Sequence, residues 1–170
     1  MRNAVLWGVL VVVLVTANVL IVAKERVLSE GEVMLLTLAP RDPRALLQGD
    51  YMTLDYQLAR RVAREVDEAS KDGYIVIVLD ENRVAQFRRI HHRDQLLAPD
   101  ERLLRFRKRG SLVRLASDAF FFQEGHGGVY QSARYGELRV NATGEGVLVG
   151  LRDRKFARLT VGKGDGSGKL

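Results

Sequence analysis

The sequence predicts an α+β protein, with an N-terminal transmembrane helix followed by a mainly antiparallel β domain carrying one longer and one short helix. Three observations carry that reading. Residues 4–23 contain no charged side chain. Beyond residue 30, short apolar or alternating runs recur between turn residues, as strands do. One later stretch, residues 58–72, repeats its apolar side chains at helical spacing instead. A chain of 170 residues with 46% hydrophobic content supports one domain with a core, and is short for two large ones. The absence of cysteine excludes a disulfide framework and thiolate metal ligation. The net charge is +6, and 21 of the 27 basic residues are arginine. Such a balance suits nucleic acid, anionic lipid or an acidic partner, and is equally produced by a coding bias toward arginine.

The first element is the apolar run from Ala4 to Ala23. At about 1.5 Å per residue it makes a helix about 30 Å long, the thickness of a bilayer's hydrocarbon core. Arg2 flanks one end, and Lys24, Glu25 and Arg26 the other. A cleaved signal peptide, with Val15-Thr-Ala17 as its small-residue site, is the rival reading. Apart from Asn18 the run stays apolar through the six positions past Ala17, which favours an uncleaved anchor over residues 1–26. Positive charge at both ends barely decides orientation. A short N-terminus before a long domain is the form of a signal anchor, so the chain is expected to be a single-pass protein with its C-terminal domain outside the cytoplasm.

The β-rich domain is expected over residues 27–152. Glu32 to Ala39 is a strand candidate ended by Pro40 and Pro43, and Gly49 to Tyr56 is a second. From Leu58 to Asp72 the period switches, with Leu58, Val62, Val66 and Ala69 on one helical face and Gly73 as the stop. Arg61 with Glu65 and Arg64 with Glu68 are spaced as exposed pairs. Tyr74 to Leu79 reads as a strand buried on both faces, turned by Asp80-Glu-Asn82 into Arg83 to His92. Arg102 to Arg107 and Ser111 to Ser117 form a second hairpin around Lys108-Arg109-Gly110, extended by Ala119 to Phe122. Val129 to Tyr135 is expected as the short helix, closed by Gly136. Glu137 to Val140 and Val147 to Leu151 make a last hairpin. Residues 153–170 read as a flexible tail, ending in a glycine-rich run.

Gly49-Asp50-Tyr51, followed by Leu54 and Tyr56, spells the motif of the GDYXXLXY family of bacterial membrane-anchored proteins, and the chain resembles that family. Its flanks are similar too: residues 40–47 before the motif, and 120–125 with 133–140 after it. The resemblance spans about residues 32–152. It implies a membrane address and this architecture, but no reaction. It also implies company with multi-pass membrane proteins.

The motif has a physical reading of its own. On a strand, Met52, Leu54, Tyr56 and Leu58 share one face, and Tyr51, Thr53 and Asp55 the other. Leu54 and Tyr56 are then core neighbours, while Tyr51 packs elsewhere. Gly49 suits a positive φ before the strand, and Asp50 an Asx-type lock on the same turn. Asp42 is placed as an N-cap with Pro43 at the first helical position, followed by Arg44. The alternative to this structural role is a surface pocket in which Arg44, Asp50 and Tyr51 meet a small ligand or act as an enzyme site.

Enzyme chemistry finds little support in the residues, and no catalytic residue is assigned. The proline turn before Gly49-Asp50 is similar to that of membrane-anchored signal peptidases, which require a serine nucleophile and a lysine base. Leu38 to Asp42 contains no serine, and Ser111 beside Lys108 falls at a hairpin end. His91 and His92 are adjacent, so on a strand they face opposite ways, and His126 lies in a glycine loop. No metal site, phosphate loop or dinucleotide fingerprint is read, and no cofactor is expected.

The basic residues concentrate in one region. Residues 83–114 hold ten Arg or Lys against three acids. Arg105, Arg107 and Arg109 should project from one side of a strand whose Leu104 and Phe106 face the core. Such a face suits phospholipid headgroups or an acidic loop of a partner, or is an ordinary solvated sheet face. Nucleic acid is chemically compatible but out of reach of an exported domain. The expected role is a non-enzymatic binding or assembly module working with the membrane and a multi-pass membrane protein. The small-ligand receptor or enzyme at Arg44, Asp50 and Tyr51 is the alternative.

Overall fold

The computed structural model describes residues 2–39, 47–48, 51–67, 71–92 and 94–161. Helix α1 covers Arg2–Glu30, and its stretch from Leu6 to Val22 is exposed throughout. The helix is long and apolar enough to cross a membrane. It runs straight into the domain. Val27, in its last turn, is 2% exposed, and Gly31 N–H closes on the Val27 carbonyl at 3.1 Å. The Arg139 guanidinium then donates to the Gly31 carbonyl at 3.1 Å.

Among the described residues the strands form three antiparallel sheets. The first has β1 (Glu32–Thr37), β9 (Tyr135–Val140) and β10 (Gly146–Arg152), with β9 central. The second has β2 (Leu47–Gln48), β3 (Tyr51–Thr53) and β8 (Ala119–Phe121), with β3 central. The third runs β5 (Ala85–Ile90), β4 (Asp72–Leu79), β6 (Glu101–Arg109), β7 (Leu112–Leu115). Among the described residues the domain also has helix α2 (Gln57–Glu65) and the short α3 (Gly127–Tyr130). The α+β class, with its leading apolar helix, its antiparallel sheets and, among the described residues, a longer and a shorter further helix, is the expected one.

The expected periodicities explain most of the packing. Leu58 and Val62 are buried on one face of α2, and Arg61 pairs with Glu65 at 3.2 Å on the other; the helix ends at Glu65 instead of running on to Asp72, with the extended Val66 buried just past its end. Ile75, Val76 and Ile77 in β4 are fully buried, because that strand is covered on both faces. Asp80 turns β4 into β5, its Oδ1 accepting from the Asn82 and Val84 amides at 2.9 and 2.8 Å. Gly110, at φ 58°, closes the β6–β7 hairpin where a left-handed residue is needed.

Four local expectations are corrected. Gly73 does not stop a helix: it lies inside β4, with the Phe106 ring 2.8 Å from where a Cβ would be. The glycine makes room for a ring. Gly136 likewise closes no helix but sits inside β9, and the short helix comes earlier, at Gly127–Tyr130. The Ala119–Phe121 strand does not extend the β6–β7 hairpin, since it pairs with β3. Finally, the chain after Arg152 folds back on β10. Leu159 N–H donates to the Leu151 carbonyl at 2.9 Å, and the Phe156 ring stacks on Tyr135 at 4.9 Å. Residues 162–170 lie outside the described residues.

Candidate functional site

Two regions compete as the site, the family-like motif and the basic face. Of the motif, Asp42, Arg44, Gly49 and Asp50 lie outside the described residues. Tyr51, Leu54 and Tyr56 are described. Strand β3 is held between β2 and β8, with Met52 opposite Leu47 on one side and Phe120 on the other. The period-2 expectation holds here: Met52, Leu54 and Tyr56 are buried at 3%, 5% and 3%, and Tyr51, Thr53 and Asp55 are half-buried. Tyr51 packs at the surface, its ring 5.8 Å from that of Phe121.

Leu54 and Tyr56 act in the core. Leu54 N–H donates to the Asp118 carbonyl at 2.8 Å, and Ala39 N–H to the Asp55 carbonyl at 2.6 Å. Tyr56 bridges Leu38 through the backbone, and its hydroxyl donates to the Ser117 carbonyl at 2.9 Å. Burial, and secondarily the Asp118 carboxylate, push the Tyr56 phenol well above the usual tyrosine range. Its ring fills the space over Gly136, where an added Cβ would fall 2.9 Å from Cε1. Asp55 grips Arg60 through two guanidinium nitrogens, at 3.1 and 2.6 Å.

The basic face follows from the alternation of β6. Leu104 and Phe106 point into the core, and Arg105, Arg107 and Arg109 point out, as the sequence pattern requires. Lys108 shares the inward face. It is 6% exposed, and its ammonium donates to the Val66 and Asp67 carbonyls at 2.9 Å each, at the C-terminal end of α2. A cation is favoured there by the helix dipole as well as by the unpaired carbonyls.

The three outward arginines line an open cavity of about 300 Å³ together with Lys24 and Arg114, against the carboxylates of Asp118 and Glu145. Arg105 reaches Glu145 at 3.2 Å and Asp72 at 3.8 Å. Arg109 reaches Asp72 at 3.4 Å, and Arg114 reaches Asp118 at 2.9 Å. Among the described residues, neither Arg107 nor Lys24 has an acidic partner. Sequence reasoning found the stripe but missed two of its members. Arg114 was findable, because a hairpin closed at Gly110 sets it opposite Arg107. Lys24 was not, since only the docking of Val27 onto the sheets brings the end of α1 to this face.

The histidines do not gather. His91 and His126 each carry a buried Nδ1 with no partner, and no group of three metal-binding side chains occurs among the described residues.

A small, three-sheet antiparallel domain led without a break by an apolar helix of membrane-spanning length is the class that this fold defines. The family model described as GDYXXLXY protein matches residues 13–151, and the chain belongs to that family. Neither a curated protein nor a solved structure matches it.

Proposed function

We propose that this protein is a single-pass, membrane-anchored binding or assembly module, facing outside the cytoplasm, whose partner is itself a membrane protein. The observation that carries the reading is the junction between α1 and the domain. There is no linker: the helix continues to Glu30, buries Val27 in the domain and is fastened through Gly31 to Arg139. A domain fixed this way cannot roam. Its reach is confined to the layer directly over the bilayer, where its neighbours are lipids and the exposed parts of other membrane proteins. Confinement raises the effective concentration of such partners without any further contact.

The test is crosslinking and co-purification of the full chain extracted in detergent. It is compared with a variant carrying a 20-residue Gly/Ser linker between Ala23 and Lys24, which leaves the Val27 junction whole. A multi-pass protein recovered with the intact chain and depleted with the linker variant is the expected result. Equal recovery from both, or a tightly held small molecule lost in Tyr51→Phe with no protein partner, overturns the proposal.

A further inference from the structure

We infer that the groove between Lys24 and the β6–β7 hairpin binds the phosphate of an anionic phospholipid headgroup from the membrane that α1 enters. The inference uses the anchoring in the proposed function, but not the protein partner. The groove carries five cations and two carboxylates. Two of the cations, Lys24 and Arg107, have no acidic partner among the described residues, so their charge is available to a ligand. Both are solvent-exposed, whereas the Arg105 side chain is 32% exposed and tied to two acids.

Position supplies the independent second argument. Lys24 is the first charged residue after the apolar run of α1, so its ammonium lies where hydrocarbon gives way to headgroups. Arg107 shares the groove with it. A phosphate bound between them would remain attached to acyl chains running along the exposed apolar surface of α1. Guanidinium suits this role, because its planar fork donates two hydrogen bonds to a phosphate, while an ammonium contributes a point charge. The carboxylates refine the ligand. Asp118 and Glu145, held by Arg114 and Arg105, offer acceptors for headgroup hydroxyls. An acidic protein loop would leave the exposed apolar surface of α1 beside the groove uncovered, whereas the acyl chains of a glycerol-bearing phosphodiester would lie along it, so the lipid is the better fit.

The experiment titrates the full chain, in dodecyl maltoside micelles, with dioctanoyl phosphatidylglycerol and with dioctanoyl phosphatidylcholine. Lipid retention is read by native mass spectrometry. Phosphatidylglycerol should be retained preferentially. Lys24→Gln with Arg107→Gln should weaken that retention by about 25-fold, from about 5-fold per surface charge removed. The charge-keeping pair Lys24→Arg with Arg107→Lys should restore most of it, and Arg154→Gln, outside the groove, should change nothing. Unchanged thermal unfolding of the double Gln variant separates lost binding from lost folding. Equal retention of the two lipids, or no effect of the double Gln variant, overturns the inference. So does equal affinity for free glycerol phosphate, which would make the groove a soluble-anion site, or displacement of phosphatidylglycerol by an acidic peptide at equal concentration. Because purified chain and lipid alone are used, failure here leaves the protein-partner reading standing, and its failure leaves this one standing.

Discussion

Replacing Gly136 by alanine tests the claim that Tyr56 is a structural member of the motif. The added methyl would sit 2.9 Å from Tyr56 Cε1, 3.3 Å from its hydroxyl and 3.4 Å from Leu148 Cδ1. The leucine contact is ordinary, but the tyrosine contact is not. Nor can the ring retreat easily: Tyr56 is 3% exposed, and its hydroxyl is fixed to the Ser117 carbonyl at 2.9 Å. Gly136 is equally held, as β9 pairs on both sides, with Leu36 and with Leu151. Overpacking of this kind costs about 1–3 kcal/mol. In a protein of this size that lowers the melting temperature by about 3–10 °C. Tyr56→Leu removes both crowding atoms and should by itself cost about 2–4 kcal/mol, as large-to-small core exchanges do. In the double variant the Gly136→Ala penalty should vanish, leaving a coupling of about 1–3 kcal/mol. Urea unfolding of the full chain in micelles, followed by far-ultraviolet circular dichroism, measures all four corners of the cycle. Additive single-variant losses, with coupling below about 0.5 kcal/mol, would refute the packing argument.

Three further outcomes follow from the same structure. Tyr56 ionises well above its unfolded value of about 10, so folding favours the neutral phenol. Its contribution is therefore complete below about pH 10 and declines as pH rises above it; the wild type should lose stability more steeply than Tyr56→Phe between about pH 10 and 12, and parallel profiles would contradict this. At neutral pH Tyr56→Phe should cost about 1 kcal/mol for the lost hydrogen bond. Lys108→Met keeps the aliphatic stem but leaves the Val66 and Asp67 carbonyls without their donor. It should cost about 1.5–3 kcal/mol and speed amide exchange in α2, and an unchanged unfolding midpoint would count against the capping role. Alkaline phosphatase fused after Leu170 should be active and a cytoplasm-only reporter silent; the reverse would invert the proposed topology.

What the sequence made legible is what depends on near neighbours. The alternation of β6 separates Leu104 and Phe106 from Arg105, Arg107 and Arg109 because a half-buried strand has period 2, whatever surrounds it. The α2 face was readable for the same reason at period 3.6. The larger misreadings concern distant contacts. Gly73 and Gly136 look locally like helix stops, yet each is a strand glycine beneath a ring, Phe106 or Tyr56, supplied from elsewhere in the chain. Lys108 looks like one more member of the basic run until the end of α2, about forty residues upstream, presents carbonyls to it. Sequence continuity put Ala119 to Phe121 on the β6–β7 hairpin, but β3 is its partner.

That last pairing joins the two candidate sites. The Ser117 carbonyl accepts the Tyr56 hydroxyl, and the Asp118 carbonyl accepts the Leu54 amide. The side-chain carboxylate of the same Asp118 pairs with Arg114 and forms a wall of the basic groove. The motif's Leu54 and Tyr56 and the charges of the groove thus meet at two consecutive residues. A variant that loosens Tyr56 or Leu54 will move Asp118, and with it Arg114. Lost binding in such a variant is therefore evidence about the groove only when Ser117 and Asp118 are held in place. Lys24 and Arg107 are the sounder probes, since both line the groove and neither belongs to the strands that pair with the motif strand. A loss of lipid in Lys24→Gln with Arg107→Gln that is matched by no loss in a stable Tyr51→Phe protein would assign recognition to the groove, and leave the motif as the fastening that shapes it.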